Sequence, residues 1–220
     1  MSRAIAVLRP EPGNAATAAR VEAMGYRAIR LPLFHVQPLD WSAPDAAGFD
    51  ALILTSANAA RLAGPELAAL AALPVHAVGA ATAQAARAAG LRVAAVGEGN
   101  AVDLIAAAQA AGVRRSLFLC GRDRALDAGG IVARAIPVYA ADPLPVEGGA
   151  LADTVALLHS ARAARRLGEI ADQASLRPRI RVAAISAAVA DAAGPGWATL
   201  AAAARPEDSA LLALAASLAD

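Results

Sequence analysis

The sequence predicts an α/β protein with two parallel-sheet domains, one inserted into the other. Three observations predict it. Short β-rich runs alternate with alanine-rich helical runs along the whole chain, the pattern of parallel strands covered by helices. Two proline-marked extended segments, about 33–40 and 137–144, bracket the middle and read as two crossings between domains. A phrase also recurs: LILTSANAA at 52–60 and ALLHSARAA at 156–164 each end a greasy run in a serine that opens a helix. Ser56 then precedes Gly79, and Ser160 precedes Ser186, at near-equal spacing, so the order of elements is duplicated along with the phrase. The outer domain is expected at 1–36 and 143–220, and the inserted one at 41–138.

The elements follow in order. Ala4–Leu8 reads as a strand. Asn14 is placed to cap a helix from Ala15 to Met24, ended by Gly25. Tyr26–Leu31 is a strand, and Leu33–Leu39 runs extended between Pro32 and Pro38. Ala51–Leu54 is a strand and Ala57–Leu62 starts a helix. Val75–Val78 is a strand, followed by a helix over Ala81–Ala89 closed by Gly90. Arg92–Val96 is a strand, and Val102–Ala111 a helix closed by Gly112. Ser116–Cys120 is a strand, followed by a weak helix and then the strand Ile136–Ala140. Past Pro143 and Pro145, Ala152–Leu158 is a strand or buried segment, Ser160–Ala174 a helix, Arg181–Ile185 a strand and Ala187–Ala193 a helix. The last helix covers Ser209–Leu218, capped by Asp208 or Ser209.

Composition narrows the function. A chain of 220 residues that is 58% hydrophobic and 18% charged can bury a sizeable core, which excludes wholesale disorder. The net charge of +1 offers no bulk attraction to nucleic acid or membrane. All 20 Lys+Arg residues are arginine, which excludes Schiff-base and lysine-nucleophile mechanisms. Cys120 is the sole cysteine, so neither an internal disulfide nor a cysteine-cluster metal site is available, and at a strand end it reads as core. The opening MSRAIAVLRPEPG has too short an apolar core for a signal peptide. Residues 67–86 lack charge, but Pro74, His76, Gly79, Thr82 and Gln84 favour a strand leading into a helix over a membrane span. A cytoplasmic protein is expected.

Chemistry in an open parallel sheet sits beyond the carboxyl ends of the strands, where helix N-termini point N–H groups outward. Thr55, Ser56 and Asn58 lie at one such end, and His159, Ser160 and Arg162 at the matching end of the other half. Arg9 follows the first strand, and Gly121, Arg122 and Arg124 follow another. Such ends suit a ligand with many carboxylates, because N–H groups and hydroxyls hold anions with few charged side chains. Plainer roles compete. Ser56 and Ser160 are helix caps first, and neither lies in a G-x-S-x-G nucleophile elbow. His159 reads as a structural or surface residue ahead of a catalyst. His35 and His76 have no ligand-spaced partner for a metal. Gly97-Glu98-Gly99-Asn100 lacks the third glycine of a dinucleotide fingerprint, and no P-loop is present, so a nucleotide-dependent enzyme is disfavoured. Arg122 and Arg124 read as solvated surface ahead of ligand clamps. Tyr139, one of two tyrosines, stands out because IPVYAADP places it on a crossing, whereas Tyr26 reads as strand packing.

These motifs together resemble the uroporphyrinogen-III synthase family. The resemblance covers nearly the whole chain as an ordered pattern: VLRPEPGN, AMGYRAIRLPL, LILTSANAARL, VHAVGAATAQAARAAG, LFLCGRDR, IPVYAADP and LLHSARAA. It implies two flavodoxin-like α/β domains joined by a two-stranded connection, with the active site in a cleft. It implies a cofactor-free, metal-free cyclisation of the linear tetrapyrrole hydroxymethylbilane, with loss of water and inversion of the last ring through a spiro intermediate, to uroporphyrinogen III. The family's tyrosine falls on Tyr139, the threonine of its V-G-x-x-T motif on Thr82, and its T-S and S-P helix starts on Thr55-Ser56 and Ser160-Ala161. The resemblance therefore makes Tyr139 the catalytic candidate, with Thr55, Ser56, Thr82 and Ser160 as substrate contacts, to which the reading of strand ends and of the repeat adds Arg9, Asn58, Gly121, Arg122, Arg162 and Ser186. The reacting azafulvene-like cation forms readily, so the protein's task is mainly to hold a floppy chain folded. A phenol serves there as a neutral donor at pH 7. Three departures stand out. Leu8-Arg9-Pro10 replaces T-R-P, Ser160-Ala161 replaces S-P, and Ile185-Ser186-Ala187-Ala188-Val189 replaces I-G-x-T-T, which puts contacts from the C-terminal half in question. A non-catalytic paralogue that binds a tetrapyrrole or other polycarboxylate is the alternative. The chain is expected to act as a monomer, with at most a transient contact with the enzyme that makes hydroxymethylbilane, and its two domains to reorient about the crossings.

Overall fold

The computed structural model describes residues 2–97, 100–123 and 128–220. They fall into two compact units, Met1–His35 with Asp142–Asp220 (unit 1) and Val36–Ala141 (unit 2). No helix among the described residues is long and apolar enough to cross a membrane.

Unit 1 is built on β1 (Ile5–Val7), β2 (Ala28–Arg30), β9 (Val155–Leu158), β10 (Arg181–Ala184) and β11 (Thr199–Ala202), in the order β11-β10-β9-β1-β2. Every pair is parallel, with Ile5 beside Ala28 on one side and Val155 on the other. Read from β2, this is the 2-1-3-4-5 order of flavodoxin-like sheets. The helices are α1 (Gly13–Ala23), α5 (Ala161–Gln173), α6 (Ala187–Ala193) and α7 (Asp208–Ala219). Ala18 and Val21 of α1 and Leu211, Leu212 and Ala215 of α7 pack on Ile5, Val7, Val155, Leu157 and Ala183.

The unit 2 sheet is built on β4 (Ala51–Leu54), β5 (Val75–Val78), β6 (Val93–Gly97), β7 (Ser116–Gly121) and β8 (Val132–Pro143), with β3 (Phe34–Pro38) on the edge beside β8; the first two residues of β3 and the last two of β8 belong to unit 1. The order is β3-β8-β7-β4-β5-β6, so its five parallel strands run 3-2-1-4-5 in their own numbering. The helices are α2 (Ala57–Leu62), α3 (Gly79–Ala88) and α4 (Ala101–Ala110). Leu52, Ile53 and Leu54 are all fully buried, as a strand covered on both faces requires. Alternate residues feed different cores. Leu52, Leu54, Leu117 and Leu119 face Ala59, Ala60, Ala83 and Ala86, whereas Ile53, Phe118 and Cys120 face Leu104. Each buried leucine side chain contributes about 1.5–3 kcal/mol over exposure. Alanine on the helix side lets α2 and α3 lie close to the sheet.

Four expectations need correction, and one strand is new. Asn14 is not a cap but lies inside α1, fully buried, where its Nδ2 donates to Val7 O (2.7 Å) and Arg9 O (2.9 Å). It ties the helix to the strand before it, because α1 begins earlier, with Pro12 at its N-cap. The segment ahead of β9 is a 3-10 turn over Gly148–Leu151, and the strand proper starts at Val155. The strand read at Ile136–Ala140 is twelve residues, Val132–Pro143. Neither Asp208 nor Ser209 caps the last helix: Glu207 holds the N-cap position without a side-chain bond, and Asp208 is inside α7. β11, in Thr199–Ala202, carries no β-branched run and is not marked in the sequence. Where a weak helix is expected between Cys120 and Ile136, Arg122 and Asp123 form a turn, and 124–127, with the candidate Arg124, lie outside the described residues, as do Glu98 and Gly99 of the Gly97–Asn100 stretch. Gly25, Gly90 and Gly112 follow α1, α3 and α4 at positive φ, as helix-ending glycines do.

Candidate functional site

Each sheet changes winding direction once, between β1 and β9 in unit 1 and between β4 and β7 in unit 2. Beyond the carboxyl ends of those strand pairs a parallel sheet opens a crevice.

In unit 2 four neighbouring strands deliver candidates in order: Tyr139 from β8, Gly121 from β7, Thr55 and Ser56 from β4, and Thr82 from the helix after β5. β4 and β7 pair with Leu54 beside Leu119, so β4 ends there while β7 runs two residues further, to Gly121. Ser56 caps α2, and its Oγ accepts from Asn58 N–H (3.2 Å). A hydroxyl that accepts from a helix still has its own O–H to donate outward. Thr82 is buried on α3. Gly121 stands beside Tyr139 in the sheet, and the next N–H, of Arg122, donates to Tyr139 O (2.8 Å). The phenol lies across Gly121: a Cβ there would sit 2.9 Å from Tyr139 Cζ and 3.0 Å from its Oη. The ring also packs, partly buried, against the core cluster that includes Leu52, Leu54, Leu117 and Leu119. Glycine at 121 is thus the condition for the ring's position. Gly121→Ala is expected to push the ring off the strand end, cut activity in step with loss of the phenol, and lower stability by about 1–3 kcal/mol. Unchanged turnover and melting in that variant would show that the ring's seat is not needed.

In unit 1 the ends of β1 and β9 carry Arg9 and His159, and Asp208 joins them. Arg9 Nη1 donates to Asp208 Oδ2 (3.3 Å) and to Thr17 Oγ1 (3.4 Å), and Arg20 donates to the same carboxylate oxygen. His159 Nε2 lies 3.1 Å from Asp208 Oδ1 and carries the proton toward it. The Asp208 carboxyl is held far below the usual carboxylate range. The hydrogen bond from His159 is the largest cause, with Arg9 and Arg20 adding to it against the opposing effect of burial. His159 is 11% exposed, which fits its reading as a structural residue. Ser160 caps α5, accepting from Ala163 N–H (3.2 Å). Ser186 caps α6 without a side-chain bond. Arg162 lays its guanidinium on the Phe34 ring, 4.6 Å from the centroid. Arg122 is half exposed and lies 3.8 Å from Asp123.

The structure therefore assembles Tyr139, Gly121 and Arg122 directly, sets Thr55, Ser56, Asn58 and Thr82 along the adjoining strand ends, and engages the charge of Arg9 with Asp208. The residues missed from sequence are Asp208, Arg20 and Thr17. No local signal marks them, since the Arg9–Asp208 contact spans 199 positions.

The family model described as uroporphyrinogen-III synthase HemD matches residues 15–213. The fold is similar to the crystal structure of uroporphyrinogen-III synthetase from Helicobacter pylori 26695, with 19% identity, 99% of this chain and 100% of that chain covered, and a TM-score of 0.65. It is similar as well to a mutant uroporphyrinogen III synthase from the extremely thermophilic bacterium Thermus thermophilus, with 18% identity, 99% of both chains covered and a TM-score of 0.57. At such identities the two likenesses speak to the fold. No curated protein matches the sequence.

Proposed function

The chain belongs to the uroporphyrinogen-III synthase family, and from that premise we propose how its own residues carry the reaction. It is a cyclising lyase of tetrapyrrole biosynthesis that converts hydroxymethylbilane to uroporphyrinogen III. The reaction breaks one C–O bond, and the hydroxyl leaves as water with an added proton. The exposed carbon is attacked by the already substituted α-carbon of the last pyrrole ring, giving the spiro centre. The bond from that α-carbon to its old bridging carbon then breaks, and the bridging carbon bonds to the ring's free α-carbon. Loss of the proton there restores aromaticity, so the ring is inverted and no net proton is consumed. The chemistry asks for a donor at the leaving hydroxyl and for a folded substrate, and little else.

The observation that carries the assignment is the seat of Tyr139 across Gly121 at a strand end. We assign the phenol the donor role at the leaving hydroxyl. Thr55, Ser56, Asn58, Thr82 and the Gly121–Arg122 backbone hold substrate carboxylates in unit 2, and Ser160, Arg162 and Ser186 do so in unit 1. Support comes from helix caps that retain a free O–H and from N–H groups at strand ends, both of which favour anions. Arg9 contributes least, because Asp208 already shares its charge. A cytoplasmic monomer, free of metal and cofactor, that meets the hydroxymethylbilane-forming enzyme only transiently belongs to the same reading.

The test is a coupled assay: hydroxymethylbilane generated in situ, the purified protein added, and the oxidised uroporphyrin isomers separated. An excess of isomer III over the spontaneous isomer I is expected. Isomer I alone, from folded protein, would make the chain a non-catalytic binding protein.

A further inference from the structure

Unit 1 carries a hollow of about 250 Å³ lined by Phe34, Pro143, Arg162, Arg165, Arg166 and Glu169. Positions 162, 165, 166 and 169 share one face of α5, so three guanidiniums stand there against one carboxylate. Like charges at this spacing repel, and an anion between them would relieve the repulsion. The arginines are already arranged. Arg162 is held over the Phe34 ring. Arg166 Nη1 donates to Glu169 (3.0 Å) and Nη2 reaches Leu144 O (3.5 Å). Its Nε is buried and, among the described residues, has no acceptor, a cost that a ligand oxygen would offset. Arg165 is exposed at the rim.

We propose that this hollow is a carboxylate-binding subsite that takes one side-chain carboxylate of the tetrapyrrole, with Arg165 as its chief contact and Arg166 beside it. The inference rests on the synthase reading above for the identity of the ligand. A guanidinium fork matches a carboxylate with two parallel N–H···O bonds, and the apolar wall of Phe34 and Pro143 suits the methylene that bears it. With three arginines against Glu169, the hollow carries net positive charge.

Arg165→Ala removes an exposed side chain and is expected to leave Tm unchanged. Titration with uroporphyrin III, a stable and fluorescent polycarboxylate, is expected to show Kd raised about tenfold, with KM for isomer III formation raised in step and kcat unchanged. Arg165→Lys is expected to recover only part of the loss, because an ammonium cannot form the fork. An Arg165→Ala variant that binds uroporphyrin III as tightly as wild type would overturn the subsite. If wild type binds the porphyrin, the variant loses it, and both yield only isomer I, the subsite stands and the assigned reaction falls.

Discussion

Replacing Tyr139 with phenylalanine is expected to lower the rate of isomer III formation by about a hundredfold, the usual scale for loss of a positioned proton donor. The ring is kept, and with it the packing on the unit 2 core and the contact across Gly121, so Tm should stay within about a degree of wild type. The separation of the two readouts is the point. Activity lost without stability places the hydroxyl in the chemistry. Activity retained removes Tyr139 from the mechanism and leaves the strand-end hydroxyls and N–H groups to do the work by binding alone. Stability lost with activity would make the phenol a structural group. The isomer ratio is the sensitive measure, because spontaneous closure to isomer I supplies an internal reference within each reaction.

Asp208→Asn is expected to destabilise unit 1 by about 2 kcal/mol at neutral pH, since one carboxylate receives His159, Arg9 and Arg20 and its loss leaves two guanidiniums without their partner. The pH dependence has a definite sign. The folded-state pKa of Asp208 is lowered from 3.8, so its ionisation contributes stability that is fully present above about pH 4. That stability is lost as pH falls toward the folded-state value. The gap between wild type and variant in denaturant melts should therefore be widest at neutral pH and close progressively below about pH 4. A gap that stays constant across that range would mean that the carboxylate's charge does not hold the cluster together. The asparagine keeps the shape of the side chain, so the measurement isolates charge from packing.

The elements were legible where local chemistry decides them. The buried runs ALIL at Ala51–Leu54 and VHAV at Val75–Val78 end where composition changes, and the helices over Ala57–Leu62 and Ala187–Ala193 start behind a serine whose extended backbone suits an N-cap. Ser56 and Ser160 cap helices as their position implied, and Cys120 is core. Readings failed where a distant partner outweighed the local one. Asn14 has the chemistry of a cap, but Val7 O and Arg9 O give its amide two better acceptors. Asp208 has the same chemistry, but three cationic or donor side chains from β1, α1 and the end of β9 claim its oxygens. Thr199–Ala202 has little strand propensity, and pairing with β10 supplies the backbone bonds that make it a strand.

The sequence by itself determined the alternation of strand and helix and the repeated serine-led helix starts, because each depends on residues near one another in the chain. Only the tertiary structure decided the strand order, the seat of Tyr139 on Gly121 and the gathering of Arg9, Arg20 and His159 on Asp208. Those depend on which strands become neighbours, and parallel neighbours are joined through crossovers that local pattern does not encode.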